Sequence, residues 1–396
     1  MRTQPTTPGT PLRPPVSGAG RPASAHSRAK DSRTAAAEII SQFDRQLHGA
    51  APTAAFVFLS AAHDGSALMA ALRERYPQTQ VAGCTTAGEF VEREDSVGGV
   101  AAMALPASTV RAAYGVVAHF ERGVAAGIRD AAKKLSKMAG ADLKTLDPTR
   151  WVGILLADGM GMKEEEINDA LGVAAPQLVF VGGSAGDDLA FKQTLIFHND
   201  ERSTDGVVLL LLDMAVPFTF AKTCSFEPTK HRFTITRADE ATRTVYELNG
   251  RPATEVYAEA VGTTPDKLGS EVFMSHPVGM MLDGDPWIRS PYQVTGDGGL
   301  KFFCRITVGS EVHLMNSTDL VGETRDAMQR ASKELGGRAG GALAFNCILR
   351  RLELDATKQH AGFLEAFAGI PTLGFHTYGE SYLGHVNQTC TALVFA

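Results

Sequence analysis

The chain has 396 residues, 44% hydrophobic and 21% charged, a globular composition long enough for two or three domains. Its formal charge of -6, with no basic block in the body of the chain, excludes the cationic stripe that a nucleic-acid surface needs. Five scattered cysteines without a CxxC pair fit a reducing cytoplasm, and no apolar run approaches the roughly 18 residues of a membrane span.

Residues 1–30 are rich in Pro, Ser, Thr and Arg, lack a secretory hydrophobic core and read as a disordered tail. Asp31 is placed to cap a helix through Ile40, Phe43 and Leu47. Next come a strand over 54–60, Asp64-Gly65 and a helix through Leu68, Met69 and Leu72. A strand then enters Gly83-Cys84-Thr85-Thr86-Ala87-Gly88-Glu89, and apolar runs over 99–105 and 110–117 read as two more strands.

The same order returns. A helix over 124–138 precedes a strand over 151–157, Asp158-Gly159 and a helix over 164–173 with acidic residues in its first turn. A strand enters Gly182-Gly183-Ser184-Ala185-Gly186-Asp187-Asp188, and strands over 193–198 and 206–213 close the half. This series implies an internal duplication, with repeats of about 31–118 and 119–220. Because each half ends in adjacent strands, the sheets should be mixed or antiparallel, with helices on their outer faces.

From about residue 218 the texture turns strand-rich, with a strand over 233–236, a short helix over 253–261 and a turn at 296–299. A helix over 324–335, a strand over 342–350, a helix over 364–367 and terminal strands complete the chain. The expectation is an α+β protein: an N-terminal domain over 31–220 and a strand-rich α+β C-terminal domain over 221–396.

Gly182 to Gly186 spells G-x-S-x-G, which would make Ser184 a hydrolase nucleophile if a helix came directly after it. Residues 187–198 read instead as loop and strand, and the first half carries the related Thr86-Ala87-Gly88, so a repeated turn is the better reading. Cys84 would be reactive only beside a basic group. Two related loops can instead turn backbone N–H groups into a shared pocket, with Gly83, Cys84, Thr85, Gly88, Gly183, Ser184, Gly186 and Asp187 as its candidate residues. Tyr378, Glu380 and Asn387, in a glycine-bracketed stretch near the C-terminus, could add donors and acceptors. No HExxH or HxxxH pair occurs, whereas a single histidine suffices for haem iron.

GCTTAGE, FVGGSAGDD, YELNGRPA (246–253), FNCILRR (345–351), GFHTYGE and VNQT together resemble the FIST family over about residues 35–396. The resemblance implies a FIST N and a FIST C domain forming an intracellular input module, one that binds a small ligand such as an amino acid and acts on a histidine kinase, a cyclic-dinucleotide enzyme or a chemotaxis receptor. The chain carries no kinase, receiver or cyclase motif, so the output partner is expected to be a separate protein. One branch of the family binds b-type haem and senses nitric oxide; the candidate axial ligands here are His376, His276 and His198. The expectation is thus a non-enzymatic cytoplasmic sensor, not embedded in a membrane, with a serine or cysteine hydrolase as the rival reading.

Overall fold

A computed structural model describes residues 20–396. The first unit runs β1 (Ala23–Ser27), α1 (Ser32–Gln46), β2 (Ala54–Ser60), α2 (Gly65–Arg75), β3 (Gln80–Thr86), β4 (Glu89–Val91), β5 (Asp95–Ser96) and β6 (Val100–Leu105). The second runs β7 (Val110–Ala118), α3 (Val124–Ala139), β8 (Trp151–Ala157), α4 (Glu164–Ala174), β9 (Phe180–Ser184), β10 (Ile196–His198), β11 (Glu201–Ser203) and β12 (Val207–Met214).

After β13 (Phe218–Cys224) the chain makes a long excursion. It comprises β14 (Phe226–Asp239), β15 (Thr244–Leu248), β16 (Arg251–Pro252), α5 (Ala253–Ala260), α6 (Ser270–Ser275), β17 (Val278–Leu282), β18 (Asp285–Arg289), β19 (Pro291–Val294), β20 (Leu300–Phe302) and β21 (Glu311–Ser317). It then resumes with α7 (Leu320–Glu334), β22 (Gly341–Cys347), α8 (Ile348–Thr357), α9 (His360–Glu365), β23 (Thr372–Thr377), β24 (Glu380–Tyr382), β25 (His385–Val386) and β26 (Thr389–Phe395).

The strand orders show that the repeat is threefold. The three six-stranded sheets read β1-β6-β2-β3-β10-β11, β7-β12-β8-β9-β24-β25 and β13-β26-β22-β23-β4-β5. In each, a parallel pair is made by one unit's own β-α-β (β2 with β3, β8 with β9, β22 with β23). In each, too, the outer hairpin comes from another unit: β10–β11 from the second to the first, β24–β25 from the third to the second, β4–β5 from the first to the third. No unit completes its own sheet.

Local sequence explains the scaffold. Asp31, Asp64 and Asp319 cap α1, α2 and α7 by accepting N–H groups of the first turn, and Gly140, at φ 72°, ends α3. The inner faces of all three sheets meet in one core, where the Phe58 ring centroid lies 4.4 Å from Phe375 and 6.3 Å from Phe345. Burying each such ring contributes about 1.5–3 kcal/mol. The outer faces carry helices, with Ile39 and Leu68 on the first sheet, Ile128 and Leu171 on the second, and Met328 and Phe363 on the third. The excursion has its own core around Tyr257, Phe273 and Leu314.

The α+β class and the mixed sheets match expectation. Two local features differ. Ala23–Ser27, within the stretch expected to be a tail, pairs in continuous register with β6, its side chains alternating between buried and half-buried; residues 1–19 lie outside the described residues. The strand expected to reach Arg350 stops at Cys347, and Ile348 opens α8.

Candidate functional site

The strand-exit motif occurs once in each unit: Thr86-Ala87-Gly88-Glu89, Ser184-Ala185-Gly186-Asp187 and Thr377-Tyr378-Gly379-Glu380. The three turns meet and bond to one another in a ring. Gly186 N and Asp188 N donate to Thr85 O and Thr86 O at 2.9 and 3.0 Å; Ser184 N donates to Gly379 O at 2.8 Å; Ala87 N donates to His376 O at 3.1 Å and His376 N to Gly88 O at 2.8 Å.

Glycine at these positions answers to close approach. A Cβ on Gly186 would lie 2.6 Å from Ala87 N, one on Gly83 2.1 Å from Val57 O, and one on Gly183 2.6 Å from Thr377 Oγ1. The acids brace the hairpins passed between units. Glu89 accepts from Thr86 Oγ1, Ser96 Oγ and Gly99 N, and Glu380 Oε2 accepts from Thr389 N and Oγ1. Asp187 accepts from the backbone of Phe191, Lys192 and Gln193 and from the Tyr378 hydroxyl. Desolvation raises the carboxyl of Glu89 to about 7 and that of Glu380 to about 8 despite these donors.

The structure therefore brings together the loop candidates Gly83, Cys84, Thr85, Gly88, Gly183, Ser184, Gly186, Asp187 and Tyr378, but as a packed interior junction. Ser184 is buried, its hydroxyl 3.3 Å from Glu164 Oε1, and no helix comes after it before β10. Cys84 is wholly buried, and desolvation raises its thiol well above the ordinary value.

The candidate histidines are dispersed. The His376 ring packs against Phe90 and Phe363 at centroid distances of 5.4 and 6.4 Å, with Nδ1 2.9 Å from Asn346 Nδ2. His198 Nε2 lies 3.1 Å from Gln80 Oε1 and 3.3 Å from Asn199 Nδ2. His276 ends α6, with its Nδ1 buried. Among the described residues no cluster of His, Cys, Asp and Glu is arranged to hold a metal.

A space large enough for a ligand lies beside the junction. A cleft of about 1040 Å³ separates α4 and the start of β9 from the β17–β18 hairpin, with Lys222 of β13 and the β24–β25 turn between them. Its walls include Asn168, Phe180, Lys222, Trp287, Tyr382 and His385. His385 is the one histidine in its lining, and Asn387 stands behind it, Nδ2 3.3 Å from His385 Nε2.

Charged latches set the cleft's width. Arg243 of the excursion bonds Glu164 and Glu165 of α4 at 2.9 and 2.6 Å, all three largely buried. Arg305 N donates to Glu165 Oε1 at 2.6 Å, and its guanidinium pairs with Asp169 at 3.0 Å. Burial would raise the Glu165 carboxyl, but His385, Arg243 and the Arg305 N–H hold it below the ordinary value. A third tie joins Ser290 Oγ to Gln388 Oε1 at 2.6 Å.

The FIST N domain model matches residues 53–251, and the FIST C domain model matches residues 253–382. The chain belongs to the FIST family. FIST domains are sensory modules of signal-transduction proteins. An uncharacterized protein of Mycobacterium bovis and one of Mycobacterium tuberculosis are each 27% identical over 377 residues, covering 88% of this chain and 91% of theirs. The FIST N match ends inside the excursion, and the FIST C match contributes β17, β18, Arg305 and Tyr382 to the cleft, with the lining residues Leu383, Gly384 and His385 just past its end. The cleft thus lies between FIST N and FIST C. No helix among the described residues is long and apolar enough to cross a membrane.

Sequence reasoning named none of the cleft's lining residues as site residues. The available signal was faint: Tyr382 and His385 lie just beyond Glu380 in the singled-out C-terminal stretch.

Proposed function

We propose that this FIST protein is a cytoplasmic small-ligand sensor whose ligand occupies the cleft between FIST N and the FIST C hairpin, and whose state is read by a separate signalling partner such as a histidine kinase or a cyclic-dinucleotide enzyme. The observation that carries this reading is the cleft itself, because its two walls fall in different family domains. A ligand touching both α4 and β17–β18 binds the closed arrangement better than the open one, and so shifts the population between them.

The hairpin suits the moving part. It lies at the edge of its sheet, turns at Gly284 with φ 88° and exposes Leu282 at its tip. The three-loop junction suits the fixed part, since its three turns are tied to one another by backbone hydrogen bonds.

Hydrogen exchange with and without a compound that raises the melting temperature tests the site. Slower exchange is expected over 165–172 and 281–289. A stabilising compound that protects only 85–89 and 184–191 would move the site to the junction and overturn the proposal. Co-purified partner kinase should change its autophosphorylation when the same compound is added.

A further inference from the structure

Resting on the reading of the cleft as the sensory pocket, the charges lining it narrow the ligand class. We infer that the cleft selects a small organic anion, its acidic group held between Arg289 and Lys222 and its apolar body against Phe180, Tyr382 and Trp287.

The lining contains four carboxylates, but none is free and sheltered. Glu165 is taken by Arg243 and by the Arg305 N–H, and Asp169 by the Arg305 guanidinium. Asp283 and Asp285 are exposed at the hairpin tip, where water satisfies them.

The cations are placed differently. Arg289 and Lys222, both half-buried, have no carboxylate within ion-pair distance among the described residues. Arg289 Nη1 donates only to carbonyls, those of Ile288 at 3.3 Å and His385 at 3.2 Å. Its Nε–H is buried without an acceptor, and His385 Nδ1 is likewise buried without a partner. The Lys222 ammonium lies 4.5 Å from the Trp287 ring centroid and makes one long bond, 3.4 Å, to Pro286 O.

An orphaned buried donor costs about 1–3 kcal/mol. At Lys222 burial lowers the pKa most, Asp285 pulls it back up, and Arg289 lowers it by a smaller amount. An anionic oxygen between the two supplies an acceptor to Arg289 Nε and a counter-charge to both. Charge-assisted bonds of this kind are the strong ones in a partly dry site. Carboxylates and phosphates share this chemistry.

The test uses the full chain with Trp151→Phe, which leaves Trp287 as the single indole, since the chain has two tryptophans. Its emission is monitored while benzoate, phenyl phosphate, benzyl alcohol and benzylamine are titrated. Benzoate or phenyl phosphate should give a saturable change at millimolar concentration, with the alcohol and the amine at least about tenfold weaker. Which acid binds more tightly separates a carboxylate from a phosphate ligand.

Arg289→Gln and Lys222→Met should each weaken binding of the preferred acid about tenfold with an unchanged melting temperature. If Arg289→Gln fails to fold, Lys222→Met decides, since it gives up only the long bond to Pro286 O and the contact with the Trp287 ring, its binding curve being read against its own ligand-free emission. Benzylamine or benzyl alcohol matching the acids would overturn the anion selectivity while leaving the cleft as the pocket. A flat response to all four probes would also overturn it, and the exchange experiment then decides separately where the pocket is.

Discussion

The Tyr378 hydroxyl donates to Asp187 Oδ1 at 2.6 Å, joining the strand-exit turn of the third unit to that of the second across 191 residues of chain. The same oxygen accepts from Leu189 N at 3.0 Å and Asp187 N at 3.3 Å. It stabilises a segment in which Asp188, Leu189 and Phe191 all have positive φ, a conformation that non-glycine residues adopt only under constraint. Tyr378→Phe should therefore cost on the order of 2 kcal/mol in urea unfolding. Asp187→Ala, which also orphans the N–H groups of Phe191, Lys192 and Gln193, should cost more, on the order of 3 kcal/mol, and speed exchange over 187–193.

Gly186 and Gly284 make a controlled pair. At Gly186 a methyl group meets backbone atoms of Thr86 and Ala87 at 2.8 and 2.6 Å, which cannot move without opening the junction. Gly186→Ala should cost on the order of 3 kcal/mol or more. Gly284→Ala adds a methyl to open space and is strained only by its φ of 88°, a cost of about 1 kcal/mol. Equal losses in thermal unfolding would contradict the packed junction.

Two of the three motif acids make stability fall as pH rises. The carboxyl groups of Glu89 and Glu380 are raised from 4.5 to about 7 and about 8 in the folded protein by desolvation. Between those limits the unfolded chain has released protons that the folded chain keeps, so stability falls as pH rises through the window. It is full below about pH 4.5 and lost by about pH 8 for Glu380. Glu380→Gln, a mimic of the protonated acid, should flatten the decline in urea midpoint between about pH 5 and 8. An unchanged pH profile in both Glu380→Gln and Glu89→Gln would contradict this.

The exchanged hairpins make the two FIST domains interdependent. A chain cut at residue 252 leaves β9 without β24 and strips β4 of its partner β23, exposing edges of both sheets. Residues 20–252 alone should give a poorly dispersed amide spectrum, and co-expression with 253–396 should restore it. A well-dispersed spectrum from the first piece alone would contradict the arrangement.

Much of the scaffold could be read from local pattern. The Asp31 cap, the apolar strands over 54–60 and 151–157 and two of the three motif copies all lie in short windows of sequence. The third copy escaped because Tyr378 replaces the alanine of the other two, and because the excursion over 226–317 separates β13 from α7. Hairpin exchange left no mark, since pairing between Phe375 and Glu89 is a property of packing and not of either segment.

The glycine loops looked like a pocket because glycine serves close backbone packing and ligand approach equally well. At the cleft, the lining residues lie far apart in sequence, from α4 to the β24–β25 turn, and no motif links them. Arg289 and Lys222 became informative only when the partners of every neighbouring carboxylate were known.

A sensor of this design requires a small molecule in the cleft beside Trp287. Equilibrium dialysis of the full chain and its Trp287→Ala variant against a small-molecule cell extract, with mass spectrometry of what each retains, tests it most directly. At least one compound should be enriched by the unmodified protein and lost from the variant, with the variant's fold intact by circular dichroism. Retention of the same compounds by both proteins, or of none by either, would contradict it.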